Sequence, residues 1–393
     1  MILSPTAYSV EGTLKSSTAS RIGRRKVHTP GWRLTRHATP RADARRCPPR
    51  VPYNLLPLLH THPAPTVTDS PFPDAAAVDP MAADMARVDQ VIRQRLASDV
   101  ALINQISHYI VSAGGKRIRP RLVLLFAEAL GFAGPERYEL AATVEFIHTA
   151  TLLHDDVVDE SSLRRGRQTA NALFGNAASV LVGDFLYSRA FQMMVSVNRM
   201  RVLEVLADAT NVIAEGEVLQ LMNMHDPDLA VDDYLRVIRF KTAKLFEASA
   251  RLGAVLAGAD TAVEEACADY GRSLGTAFQL VDDLLDYEGD TSALGKNVGD
   301  DLREGKPTLP LLVAMARSSD AERQLIRHAI EHGEPDRLAE ILSIVRRTGA
   351  LTATRDAARA EADKADRALS ALTESAARKA LLELSARSVE RSS

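Results

Sequence analysis

The chain has 393 residues, 46% hydrophobic and 25% charged, and its 48 Lys and Arg against 51 Asp and Glu give a formal net charge of -3. No stretch approaches the roughly 20 consecutive apolar residues of a membrane-spanning helix, so we expect a cytoplasmic protein with peripheral membrane contact at most. The two cysteines argue against a disulfide framework or cysteine-based zinc site, and the lack of basic runs in the larger, acidic part of the chain argues against nucleic-acid binding.

The first 80 residues differ in composition from the rest. They hold 12 of the 18 prolines and 11 basic against five acidic residues, whereas the remaining 313 residues carry 37 basic and 46 acidic side chains. We therefore predict a disordered, basic, proline-rich extension over residues 1–80 and a folded domain over residues 81–393. A targeting segment remains an alternative, as does a start codon placed too early, with translation beginning at Met81 or Met85.

From Met85 onward the sequence predicts helices nearly everywhere. Apolar residues recur at spacings of three and four from Val88 to Ile106, as in an amphipathic helix. Segments 137–158, 176–197 and 261–288 are apolar around most of their circumference, so we expect them to be central helices of a bundle. Further helical stretches are expected at 121–132, 200–224, 231–258, 308–317, 320–331, 335–346 and 349–387. Strand-like alternation is absent, so the predicted fold class is all-α.

An acidic cluster lies near the end of segment 137–158. Asp155, Asp156 and Asp159 have the spacing i, i+1 and i+4, which places three carboxylates on one side of a helix among apolar neighbours. Like charges at this spacing repel, and a divalent cation relieves the repulsion. A solvated acidic helix end is the alternative interpretation.

The same spacing recurs 127 residues later, in Asp282, Asp283 and Asp286, near the end of another core helix. Two such clusters can face each other across a bundle. Carboxylate oxygens with room left for water suit Mg²⁺, which completes its coordination shell with substrate phosphates. The pair therefore predicts a magnesium site for a phosphorylated substrate.

Basic residues alternate with these clusters along the chain. In the segment GGKRIRP, Lys116 and Arg119 lie beside a predicted helix N-terminus, which suits an anion. The other basic residues of this set are Arg164, Arg165, Lys241, Lys296 and Lys306. Any one of them is more often a solvated surface group, but their alternation with the acidic clusters indicates diphosphate binding.

These motifs resemble those of the trans-isoprenyl diphosphate synthases, and more closely the long-chain bacterial octaprenyl diphosphate synthases of quinone biosynthesis. The resemblance rests on GGKRIRP, His148, LLHDDVVDESSLRRGRQTAN, KTAKLFE, GTAFQLVDDLLDY and LGKNVGDDLREGKPTLPLL. It implies an isoprenoid synthase-type helical bundle around a deep apolar cavity, acting as a homodimer. It also implies successive condensation of isopentenyl diphosphate onto an allylic diphosphate, with farnesyl diphosphate as the expected primer.

The resemblance further implies roles for single residues. The six aspartates of the two clusters are expected to hold Mg²⁺, with three ions in each active site. The diphosphate of isopentenyl diphosphate is assigned to Lys116, Arg119, His148 and Arg165, and the allylic diphosphate to Arg164, Lys241, Thr242, Gln279, Lys296 and Lys306. A lone histidine on a buried helix is more often a satisfied core residue, so the assignment of His148 rests on the resemblance.

Product length is expected to depend on the residues below the first cluster. Ala150 and Thr151 precede Asp155 by five and four residues, where the resemblance places the floor for the growing chain. Ala150 is small where short-chain members have an aromatic residue, and their two-residue insertion in the first motif is missing here. The resemblance thus implies an octaprenyl product within a range of seven to ten isoprene units, limited farther down by Met193, Met194 and Leu206. A shorter-chain synthase is the alternative.

Three other functions fit these motifs less well. A terpene cyclase pairs its Asp-rich helix with an Asn/Ser/Glu motif and does not need GGKRIRP. An HD-type phosphohydrolase uses a His-Asp pair such as His154 and Asp155, but it requires further His and Asp ligands and leaves the second cluster unexplained. A regulatory subunit of a heteromeric synthase has degraded Asp motifs, whereas both motifs are intact in this sequence.

Overall fold

The structure is a computed structural model that describes residues 81–112, 114–164, 166–288, 298–333 and 335–390. The extension predicted over residues 1–80 lies outside the described residues, as do Arg165 and Lys296. Within the described ranges, no helix is both long enough and apolar enough to cross a membrane.

The described part of the chain is a helical bundle, which confirms the predicted all-α class. The helices are α1 (Ala82–Leu96), α2 (Ala101–Ser112), α3 (Ile118–Ala129), α4 (Glu136–Val158), α5 (Ala170–Phe174), α6 (Asn176–Ser196), α7 (Met200–Asn223), α8 (Val231–Ile238), α9 (Lys244–Ala257), α10 (Thr261–Glu288), α11 (Asp300–Arg303), α12 (Leu309–Arg317), α13 (Asp320–His332), α14 (Leu338–Arg347), α15 (Ala350–Ala368) and α16 (Ala376–Val389). A π-helical turn, Arg239–Ala243, joins α8 to α9, and short 3₁₀ turns span Pro335–Arg337 and Leu369–Ala371. Strands β1 (Leu163–Arg164) and β2 (Arg167–Gln168) form a small antiparallel hairpin that pairs Leu163 with Gln168.

Two helical stretches predicted from the sequence are each two helices in the structure: 349–387 is divided into α15 and α16 by the 3₁₀ turn Leu369–Ala371, and the stretch from Val88 to Ile106 is divided as well. The apolar spacing from Val88 to Ile106 continues without a break, yet α1 ends at Leu96 and α2 begins at Ala101. Asn104 explains the interruption, because its side-chain amide donates to the Ser98 carbonyl (2.7 Å) and its side-chain oxygen accepts from the Ser98 N–H (3.1 Å). These two bonds satisfy backbone groups that a continuous helix otherwise pairs internally.

Two clusters of buried side chains hold the bundle together. The larger cluster joins α1, α3, α4, α6, α7, α9 and the first half of α10, and within it Phe126 packs edge to face on Tyr270 with ring centroids 5.2 Å apart. The smaller cluster joins α8, the second half of α10 and the helices α12 to α15. Helix α10 runs through both clusters, so its aspartates lie where the second cluster begins.

Among the described residues, helix α6 is not central to the bundle, although its composition predicts a central helix. One of its faces packs on α4, but Leu181 and Val195 on the other side expose 67% and 61% of their surface. Met222 near the end of α7 is 73% exposed as well. An apolar circumference predicts that a helix is buried but does not identify what covers it, and the described residues cover only one side of α6.

Candidate active site

The first aspartate cluster occupies the last turn of α4, as predicted. Asp156 is 3% exposed, and its Oδ1 accepts hydrogen bonds from Arg164 Nε (2.8 Å) and Nη2 (2.7 Å). The β1–β2 hairpin turns the chain back after α4, which brings Arg164 onto this carboxylate. Arg164 was expected to address the allylic diphosphate, and in the structure it anchors the hairpin to the aspartate cluster.

Asp155 and Asp159 each have a lysine nearby. Lys306 Nζ donates to Asp159 Oδ2 at 3.1 Å, and Lys241 Nζ lies 3.8 Å from Asp155 Oδ2. Burial raises the pKa of Asp155; the positive charge of Lys241 opposes the rise and the negative charge of Asp159 adds to it. The ionised cluster is therefore unfavourable on its own and favours a nearby cation.

The second cluster lies on the last turns of α10, and two of its members are held by neutral donors. Asp283 is 4% exposed and accepts from the Tyr234 hydroxyl (2.5 Å) and the Gln279 amide (2.7 Å). Asp286 accepts from the backbone N–H groups of Asp300 and Asp301 (both 3.2 Å), which open α11. Burial raises the pKa of Asp283 to about 6, against the effect of its two hydrogen bonds.

Lys306 links the two clusters electrostatically. Besides donating to Asp159, its ammonium forms an ion pair with Glu304 and acts on the charge of Asp283. Burial lowers the pKa of Lys306, but Asp159, Glu304 and Asp301 outweigh this effect and hold the pKa above its ordinary value. The lysine is therefore a fixed positive charge between two acidic helix ends.

The π-helical turn between α8 and α9 carries two residues assigned to the allylic diphosphate, Lys241 and Thr242. Thr242 Oγ1 donates to Gln279 Oε1 at 2.9 Å, and Gln279 in turn donates to Asp283. Lys241 lies beside Asp155 on the other side. The structure thus brings Lys241, Thr242 and Gln279 together between the clusters, and π turns are frequent at functional sites.

Glu217 on α7 is a member of this site that the sequence analysis missed. Its carboxylate lies 2.6 Å from Lys241 Nζ, and burial, followed by the charge of Asp155, raises the pKa of Glu217 to about 7. The preceding Gly216 permits this contact, since a Cβ at Gly216 would lie 2.6 Å from the backbone nitrogen of Lys241. A Gly-Glu pair was the available signal, but it is too common to stand out in a sequence.

Three of the residues assigned to isopentenyl diphosphate are described: Lys116 lies on the turn before α3, Arg119 on α3 and His148 on α4. Lys116 is exposed on that turn, whereas the guanidinium of Arg119 is buried 4.4 Å from the centre of the Phe246 ring. Burial lowers the pKa of Arg119 to about 10, against the effect of Glu145, which lies one turn before His148 on α4. Arg119 Nε has no hydrogen-bond partner among the described residues, so a buried donor remains for an anion.

The residues assigned to product length lie below the aspartates on α4. Ala150 is fully buried, and Thr151 Oγ1 donates to the His148 carbonyl at 3.0 Å. Met193 and Met194 are fully buried in the same hydrophobic cluster as Ala150. Their effect on product length remains a prediction.

The donor set fits Mg²⁺, although the described carboxylates do not form a metal cage by themselves. In the described part of the chain, no three His, Cys, Asp or Glu side chains converge as a metal site. Lysines approach Asp155 and Asp159, while neutral donors hold Asp283 and Asp286. Mg²⁺ is commonly held by one or two carboxylates plus water and substrate phosphates, and two facing acidic helix ends supply such ligands.

His154 offers no support for an HD-type hydrolase. Its Nε2 lies 3.3 Å from both Asp184 Oδ1 and the Val180 carbonyl of α6, and a Cβ at Gly183 would lie 2.3 Å from the same nitrogen. The ring therefore packs between α4 and α6.

Comparison with known proteins identifies the family of this chain. The family model described as polyprenyl synthetase matches residues 100–346. The chain belongs to the polyprenyl synthetase family. Its relatives include the octaprenyl diphosphate synthase of Escherichia coli (strain K12), 58% identical over 311 residues that cover 79% of this chain and 96% of the relative.

Further relatives of this polyprenyl synthetase support the same assignment. The all-trans-nonaprenyl-diphosphate synthase (geranyl-diphosphate specific) of Rhodobacter capsulatus is 46% identical over 79% of this chain and 96% of the relative. The crystal structure of a polyprenyl synthase from Caulobacter crescentus CB15, complexed with calcium and isoprenyl diphosphate, has a TM-score of 0.77 and 51% identity, covering 80% of this chain and 96% of that one. The predicted resemblance, the isoprenoid synthase-type bundle and the prenyltransferase class are confirmed.

Proposed function

We propose that this polyprenyl synthetase makes a long-chain all-trans-polyprenyl diphosphate, with octaprenyl diphosphate as the product and quinone side chains as its use. Isopentenyl diphosphate is added repeatedly to an allylic diphosphate such as farnesyl diphosphate. The observation that carries the proposal is the pair of acidic helix ends on α4 and α10 with Lys306 between them. The similarity to the octaprenyl diphosphate synthase of Escherichia coli supports the chain length.

The allylic diphosphate is proposed to bind between the two clusters. The six aspartates of the two clusters would hold Mg²⁺, with three ions in the complete site. They are Asp155, Asp156, Asp159, Asp282, Asp283 and Asp286. When bound, Mg²⁺ supplies positive charge that stabilises the leaving diphosphate. Arg164, Lys241 and Lys306 add fixed positive charge, and Lys296 belongs to the same proposed group.

Condensation then needs no protein nucleophile. The allylic C–O bond breaks, and the diphosphate leaves with the electron pair while a resonance-stabilised carbocation remains. The double bond of isopentenyl diphosphate attacks the cation, and the released diphosphate accepts the proton that is lost from the adduct. The apolar residues below the clusters exclude water, which otherwise captures the cation.

Isopentenyl diphosphate is proposed to bind on the α3 and α4 side of the site. Arg119 supplies a buried donor without a partner, Lys116 an exposed ammonium, and His148 and Arg165 complete the assigned set. A guanidinium held over an aromatic ring keeps its charge and its orientation when buried. The two diphosphates are therefore proposed to bind different ligands. The allylic diphosphate binds metal ions, whereas the diphosphate of isopentenyl diphosphate binds basic side chains alone.

We also propose a homodimer formed through α6 and α7. Leu181 and Val195 on α6 and Met222 on α7 leave an apolar surface that a second copy can cover. Sedimentation velocity at micromolar concentration should give twice the chain mass, and Leu181→Glu should shift the population toward monomer. A wild-type protein that sediments as a monomer would contradict the proposed homodimer. We further propose that the protein contacts the membrane surface peripherally when it releases its apolar product.

The reaction class and the chain length can be measured together. The full-length protein is incubated with farnesyl diphosphate, labelled isopentenyl diphosphate and Mg²⁺, and the dephosphorylated products are separated by reversed-phase chromatography. We expect a labelled octaprenyl product that requires both the primer and Mg²⁺, with EDTA as the control. A product of four units or fewer would assign a shorter-chain synthase, and the absence of any labelled apolar product would refute the proposed function.

A further inference from the structure

Lys306 owes its position to a short backbone segment. The Gly305 N–H donates to the Leu302 carbonyl (3.0 Å), and the Lys306 N–H donates to the Asp301 carbonyl (2.8 Å). Gly305 has a φ of 69°, in the left-handed region that favours glycine. The place of the ammonium therefore depends on how the turn from Asp301 to Lys306 is anchored to the rest of the protein.

The two ends of this segment are anchored to different elements. At its start, Asp286 on α10 accepts the backbone N–H groups of Asp300 and Asp301. At its end, the backbone N–H of His225, which lies just beyond α7, donates to the Gly305 carbonyl at 2.8 Å. The first anchor belongs to the second aspartate cluster, whereas nothing in the proposed function uses the second.

The His225 ring extends this anchor to a third element. Its Nδ1 lies 3.0 Å from the carbonyl of Ile330 near the end of α13, and because a carbonyl oxygen only accepts, Nδ1 must carry the proton. A Cβ at Gly305 would lie 2.2 Å from the same nitrogen. The ring therefore packs directly on the Gly305 turn while it holds α13.

The backbone of His225 is also unusual. Its φ of 63° is left-handed, a conformation that His adopts more readily than most residues with a side chain and that costs free energy all the same. The residue is exposed overall, so burial of the ring in the core does not account for this conformation. The conformation directs the N–H toward Gly305 and Nδ1 toward Ile330.

We propose that His225 is a positioning residue that clamps the Gly305 turn and thereby fixes the ammonium of Lys306 between the aspartate clusters. It acts through Lys306 and touches no reacting atom. The inference rests on the proposed function because it takes Lys306 as a ligand of the allylic diphosphate. Its expected consequence is a selective effect on the affinity for that substrate.

Two variants separate the side-chain clamp from the backbone conformation. His225→Gly keeps the left-handed φ and the N–H to Gly305 but loses the bond to Ile330. His225→Asn also tolerates this φ, and its amide nitrogen occupies the same position relative to Cβ as Nδ1, so it can donate to Ile330. Asn is therefore the rescuing variant and Gly the disrupting one.

Steady-state kinetics with full-length protein provide the first readout. We expect His225→Gly to raise the KM for farnesyl diphosphate about threefold to tenfold, the effect of one hydrogen bond, with the KM for isopentenyl diphosphate unchanged. His225→Asn should stay within about twofold of wild type, a smaller effect than loss of that bond. An unchanged allylic KM in the Gly variant, or an equal rise in both KM values that Asn does not rescue, would overturn the inference.

Amide hydrogen exchange gives a readout that does not depend on activity. Peptides covering residues 302–308 should exchange faster in His225→Gly than in wild type or His225→Asn, with no substrate present. Equal exchange in all three proteins would overturn the clamp. A wild type that makes no polyprenyl product but shows the exchange difference would refute the proposed function and leave the clamp standing, so the two failures are distinguishable.

Discussion

Asp155→Ala should lower the kcat for Mg²⁺-dependent condensation by at least about a hundredfold to a thousandfold, the typical loss when a group that stabilises transition-state charge is removed. Asp155 Oδ2 lies 3.8 Å from Lys241 Nζ. The residue lies at the same end of α4 as Asp156 and Asp159. The proposed function makes this carboxylate a ligand of the Mg²⁺ ions that hold the leaving diphosphate, so its removal should weaken their binding. Single-turnover kinetics at saturating Mg²⁺ measure the effect on the chemical step.

The same variant should not lose stability. Burial raises the pKa of Asp155, so the ionised side chain costs free energy in the folded protein, and an uncharged residue relieves that cost. We expect a Tm equal to or above that of wild type, together with an unchanged helical spectrum.

The control for Asp155→Ala is Asp356→Ala, which removes an exposed aspartate of α15 and should leave both activity and Tm near wild type. Asp155→Asn serves as the near-isosteric variant and should be almost as inactive as Asp155→Ala, because the amide keeps the shape but not the charge. Turnover within tenfold of wild type in a folded Asp155→Ala protein would place the metal ligands elsewhere.

Ala150→Phe should shorten the product. Ala150 is fully buried on α4, five residues before Asp155, where the proposal places the floor for the growing chain. With farnesyl diphosphate as primer, we expect chains of about four to five isoprene units in place of eight, since the added ring blocks elongation while the bond-forming site above it stays intact. Reversed-phase chromatography of the dephosphorylated products measures the change.

A smaller substitution at the same position controls for the size of the side chain. Ala150→Ser adds one atom and should keep the wild-type product. Overpacking a core commonly costs about 1–3 kcal/mol, so the Tm of Ala150→Phe is measured to show that the protein remains folded. Unchanged octaprenyl output from a folded Ala150→Phe protein would move the floor toward Met193 and Met194 on α6.

Most helix positions were accessible from the sequence. The helix expected over 137–158 spans Glu136–Val158, and the helix expected over 261–288 spans Thr261–Glu288. The break between α1 and α2 was missed, because Asn104 interrupts the pattern through a side-chain bond that leaves the apolar spacing intact. The prediction that α6 is central was wrong for the described residues, because the apolar pattern of a helix does not show which element covers each of its faces.

Among the site residues, the aspartates were recognised by their local spacing and Glu217 was not. Three carboxylates at i, i+1 and i+4 form a pattern that a helix alone turns into one surface. Glu217 gains its place only because Gly216 lets α7 approach the π turn and Lys241. The roles assigned to the site residues all remain predictions, and Arg165 and Lys296 also lie outside the described part of the chain.

The sequence by itself determined the helical class, most helix bounds and the two acidic helix ends, because periodicity and carboxylate spacing are properties of neighbouring residues. Only the tertiary structure decided which distant groups come into contact. Lys306 reaches Asp159 from 147 residues away, and His225 reaches Ile330 across 105. Contacts at such separations depend on how helices pack and where turns bend, and a helix or turn read alone carries no information about its distant partner.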